Sequence, residues 1–102
     1  MLDITRLFGH DLMTMSVSET IRTKLEAAFS PVELRVIDES SLHQGHAGAH
    51  PHGESHFRVT IVSSMFQGLS RVERQRRVHQ VLADELKSRV HALSLTLSVP
   101  GE

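Results

Sequence analysis

Apolar positions recur along this chain with two different periods, and the switches between them mark out its elements. In "SVSETIRTKLEAAF" (residues 16–29), Val17, Ile21, Leu25 and Ala28 fall on one face of a helix. Ser16 and Glu19 hold capping-box spacing at its start, and Ser30–Pro31 ends it. "VELRVID" then alternates, with Val32, Leu34 and Val36 on one face and Glu33 and Arg35 on the other, as in a half-buried strand. "HFRVTIVSS" repeats the pattern, with Phe57, Val59 and Ile61 facing in and Arg58 and Thr60 facing out. "LSRVERQRRVHQVLADELKSR" returns to the helical period. Gly68 marks the turn before it, Ser70 and Glu73 make a second capping box, and Val78, Leu82 and Leu86 line one face with Val72 and Val81 nearby. Its apolar spacing breaks around Arg74–Arg77, which predicts that its first part is a separate short helix. "VHALSLTLSV" is a strand, with Leu93, Leu95, Leu97 and Val99 on one face and Ser94, Thr96 and Ser98 on the other.

The order is therefore α-β-β-α(α)-β. A helical crossover between the second and third strands makes them parallel, with a right-handed connection, while the first two pair antiparallel. Helices on one face of a three-stranded mixed sheet give an α+β sandwich. Roughly 15 residues, Ser41–Ser55, join the first two strands, far beyond the usual hairpin loop of about 2–5, and loops of that length are commonly functional or mobile.

At 102 residues the chain holds one core, expected over residues 16–100 after an extension at 1–15. Without Trp or Tyr, that core is built from Leu, Val, Ile, Ala and four Phe. A formal charge of −1 removes a global electrostatic footprint for nucleic acid, though not a local basic patch. The absence of cysteine excludes a disulfide scaffold, a thiolate metal site and a cysteine nucleophile. A bound metal would need His, carboxylates or a partner's thiolates. No apolar run is long enough to span a membrane, and "MLDITRLFGHDLMTM" has no secretory h-region, so a cytoplasmic location is expected. Met13 and Met15 offer alternative starts, a reading on which that stretch is a dispensable extension.

Five of the eight histidines, His43, His46, His50, His52 and His56, lie between Ser41 and Phe57. A Gly/Ala/His/Pro tract cannot pack, and such tracts often bind transition metals only adventitiously. His56 opens a strand and reads as a surface or capping residue. His91 shares the parity of Leu93, Leu95 and Leu97, which places it at the mouth of the core. There it is either bonded to a backbone carbonyl or able to offer a nitrogen to a ligand. No G-x-S-x-G elbow, P-loop or HExxH occurs, and Asp38 and Glu39 point to opposite faces, so an enzyme is not expected. Arg71, Arg74, Arg76 and Arg77 form a basic cluster suited to an acidic protein partner or to phosphates, when it is not simply a solvated helix face.

"VIDES", then a histidine-bearing loop, "GESHFRVTIVSSMFQGLSRVERQR", "LADEL" and "VHALSL" together resemble the BolA family from Pro31 to about Pro100. The resemblance implies a class II KH-like α-β-β-α-α-β fold and a partner, a monothiol glutaredoxin with a Cys-Gly-Phe-Ser site. It further implies a [2Fe–2S] cluster bridged between the two proteins, with glutathione contributing a thiolate. The family's histidine in "VHAL" maps to His91, and its loop ligand maps to His43, with His46 as the substitute. Neutral imidazoles in place of thiolates raise a cluster's potential, and they must be unprotonated to bind. Some relatives are described as DNA-binding regulators of morphology and stress response, the alternative that the arginine cluster serves. Against it stand the lack of net positive charge and of a GxxG clamp. Gln75 also interrupts the family's usual R-H-R. The chain alone is expected to be a monomer.

Overall fold

The computed structural model describes residues 15–39 and 55–102. Residues 1–14 and 40–54, and with them the expected extension, His43 and His46, lie outside the described residues. The elements are α1 (Val17–Phe29), β1 (Glu33–Asp38), β2 (His56–Val62), a 3-10 turn (Ser64–Phe66), α2 (Arg71–Val81), α3 (Ala83–Ser88) and β3 (Ala92–Ser98). Both helix starts are fixed by the capping boxes read from sequence. Ser16 Oγ accepts from the Glu19 N–H at 3.1 Å and Ser70 Oγ from the Glu73 N–H at 3.2 Å, while each glutamate reaches back to its serine's amide.

β2 is the middle strand, antiparallel to β1 and parallel to β3. Phe57, Val59 and Ile61 are almost completely buried beneath Val17, Ile21, Leu25 and Phe29 of α1. Phe66, Val78, Leu82 and Val90 complete that core, and the Phe29 and Phe66 rings meet at 5.0 Å. Leu93, Leu95 and Leu97 pack against it from β3. The other face of the sheet carries Glu33, Arg35, Arg58, Ser94 and Thr96, all exposed. The expected α+β architecture with its mixed sheet is thus observed.

Two expectations are corrected. The long helix divides at Leu82, not around Arg74–Arg77. Leu82 leaves helical geometry (φ −101°, ψ 21°) while its side chain stays anchored in the core, 1% exposed. The Arg74–Arg77 stretch remains helical: the Ser70–Glu73 capping box holds its start, and the Arg74 N–H bonds the Ser70 carbonyl at 3.0 Å. Val32, expected in the buried row, is 72% exposed, since β1 begins one residue later.

Candidate functional site

One end of the sheet brings together the last residues of β1 and the first residues of β2 and β3. Backbone bonds tie the three strands there. The Glu39 N–H donates to the His56 carbonyl at 2.7 Å, and the amides of His91 and Ala92 both donate to the Ser55 carbonyl, at 2.7 and 3.2 Å. Because two successive amides share that one oxygen, the alternation of β3 starts at Ala92. His91 is therefore exposed just ahead of the core-facing row that its parity had assigned it to.

The residues below His91 are fixed. Ser55 is 1% exposed, and its Oγ lies 2.9 Å from His56 Nδ1. Glu39 and Ser55 are the described residues that flank the histidine-rich segment. His91 is bonded directly to one of them, and the other is bonded to the neighbouring His56. On the open face, Arg58 Nε donates to Glu39 Oε2 at 2.8 Å. That hydrogen bond, and then the carboxylate's charge, raise the Arg58 pKa.

The arginine cluster is split by its surroundings. Arg71, Arg76 and Arg77 are exposed on α2, where Arg71, Arg76 and His79 line a shallow groove beside the exposed Val72. Arg74 instead turns inward, with its side chain only 12% exposed. Its guanidinium donates to the carbonyls of Leu69 and Leu97 and donates two hydrogen bonds to the Glu102 carboxylate, at 2.8 and 3.2 Å. The Arg74 hydrogen bond, helped by the Val99 N–H, holds the Glu102 carboxyl below the usual carboxylate range. Arg74 thus serves the edge of β3 and the C-terminal turn. The sequence reading missed this role, and also the parts played by Ser55 and Glu39, whose only sequence signal was their place beside the histidine-rich segment.

Among the described residues, no three His, Asp or Glu side chains gather closely enough to hold a metal ion. His91 can offer a single nitrogen ligand on a backbone fixed by hydrogen bonds. A site of three or more ligands would draw donors from outside the described residues. His91 together with donors from another molecule is compatible with a metal group shared between two proteins.

A family model described as BolA-like protein matches residues 25–102. The chain is 49% identical over 86 residues to BolA-like protein 1 of Homo sapiens, covering 84% of this chain and 60% of that one. It is 47% identical over 81 residues to the DNA-binding transcriptional regulator BolA of Escherichia coli, covering 79% and 73%. Among solved structures, the BolA domain of SufE1 from Arabidopsis thaliana superposes with a TM-score of 0.74 at 48% identity, covering 84% of this chain and 94% of that one. The chain thus spans less than two thirds of the human relative.

Proposed function

The chain belongs to the BolA-like family, and from that premise we propose that it is a non-enzymatic iron–sulfur accessory protein. It binds a monothiol glutaredoxin bearing a Cys-Gly-Phe-Ser site and co-ligates a bridging [2Fe–2S] cluster. His91 is the fixed ligand, and His43, with His46 as substitute, is the ligand from the histidine-rich segment. The partner and its glutathione supply the thiolates that this cysteine-free chain lacks. The cluster, when bound, brings one-electron chemistry at a potential that imidazole ligation raises. The work of the chain is to hold one imidazole exposed on a rigid strand end and to start the histidine-rich segment beside it.

The observation that carries this reading is the pair of hydrogen bonds that the His91 and Ala92 N–H groups donate to the Ser55 carbonyl. They fix the backbone of the candidate ligand against the residue that bounds the histidine-rich segment. The experiment adds the protein to a glutaredoxin holding its cluster and follows visible absorbance and circular dichroism. Wild type is expected to change the spectrum, His91→Ala to abolish the change, and His43→Ala or His46→Ala to identify the second ligand. An unchanged spectrum with wild type, glutathione present, rejects the proposal.

A second reading, DNA binding, is favoured by the exposed Arg71, Arg76 and Arg77 on one helix. It makes a different demand. Affinity carried by several arginine–phosphate contacts falls steeply as salt rises. Assembly of a shared cluster instead follows iron and glutathione.

A further inference from the structure

β1 is an edge strand, and its sequence is complementary to itself. We infer that the outer edge of β1 pairs antiparallel with the same edge of a second copy of this chain. The ladder to β2 fixes which backbone groups are available. Glu39 donates to His56 one register step beyond the Asp38–Phe57 pair, so Glu33, Arg35 and Ile37 direct their backbone groups toward β2. Leu34 and Val36 direct theirs outward, and no other strand among the described residues takes them up.

Centred on Leu34, "VELRV" reads alike in both directions by chemistry. A two-fold axis there sets Leu34 against its own copy once and Glu33 against Arg35 twice, while the Val32 N–H stays bonded to the Val62 carbonyl of β2 at 2.8 Å. Arg35 and Glu33 are already neighbours on the open face at 3.6 Å, with side chains 67% and 52% exposed. Pairing two copies turns them into four alternating charges. Other registers are disfavoured: an axis at Arg35 opposes two arginines, and an axis at Val36 opposes Leu34 to Asp38.

The joined sheet has six strands, and the antiparallel axis sends the two His91 ends in opposite directions. Both stay open, so the inference stands apart from the cluster reading. The expectation of a monomer then holds only for dilute protein.

Sedimentation equilibrium across a concentration series tests this, with far-UV circular dichroism to confirm that each variant is folded. Wild type should rise from 11.4 kDa toward twice that mass. Glu33→Arg and Arg35→Glu each place like charges opposite one another twice and should weaken association by about tenfold or more. The double variant Glu33→Arg/Arg35→Glu restores opposite charges and should restore association. Three results overturn the inference: a wild type that stays at 11.4 kDa at millimolar concentration, association indifferent to the single reversals, or a double variant that fails to recover.

Discussion

The two ends of the sheet are built from the same three strands and do opposite work. At the end where β2 finishes, Ser63 is fully buried. Its Oγ donates to the Phe29 carbonyl at 2.6 Å and accepts from the Met65 N–H at 3.1 Å, while its own amide bonds Ser98. The Phe29–Phe66 ring contact lies at that end, so one hydroxyl joins the end of α1 to the 3-10 turn. At the opposite end the backbone is equally well bonded, but the side chain presented, His91, is exposed. An end whose side chains are consumed by the fold has nothing left to offer. The end where β3 begins combines main-chain bonds with the Ser55–His56 and Arg58–Glu39 contacts and still leaves the His91 side chain at the surface.

The sharpest way to break this comparison is to damage the closed end. Phe66→Ala removes a fully buried ring from the core and should cost about 3–5 kcal/mol in urea unfolding. Whatever remains folded should still present His91. Ser63→Ala should cost less, about 1–3 kcal/mol, because the buried Phe29 carbonyl and the part-buried Met65 amide each lose a partner. His91→Ala should change unfolding stability by no more than about 0.5 kcal/mol, as for an exposed side chain, while abolishing the glutaredoxin spectral change. A large loss of stability in that variant would make His91 a structural residue.

The smallest effect concerns the C-terminal turn. The Glu102 carboxyl is held below its unfolded pKa by Arg74 and the Val99 amide. Its contribution is therefore present above the unfolded value and is lost as pH falls through the lower, folded value. Wild type should be slightly more stable than Glu102→Gln at neutral pH, and the gap should close on acidification. Thermal unfolding at a series of pH values checks it, and a gap that widens in acid would contradict it.

What the sequence made legible follows from how local each signal is. The strand faces could be read because a two-residue period needs no knowledge of distant partners, and Phe57, Val59 and Ile61 are buried as the alternation required. The capping boxes span three residues and were equally plain. Ser63 was not legible, since its hydroxyl meets a carbonyl 34 positions earlier in the chain. Arg74 looked like its exposed neighbours because its carboxylate partner is 28 residues away. The helix break at Leu82 carries no Gly or Pro to announce it. At the candidate site, parity placed His91 at the head of β3. The Ser55 carbonyl that takes two amides, and so sets the strand's first residue, emerges only once β2 lies beside β3.

The most direct test of the central claim is pulsed electron paramagnetic resonance on the reduced heterocomplex with glutaredoxin, prepared with 15N-histidine in this chain alone. Coordination by His91 gives a nitrogen coupling on the cluster that changes with the isotope and loses its His91 component in His91→Ala. A spectrum without histidine nitrogen coupling, or one unaltered by His91→Ala, would contradict it.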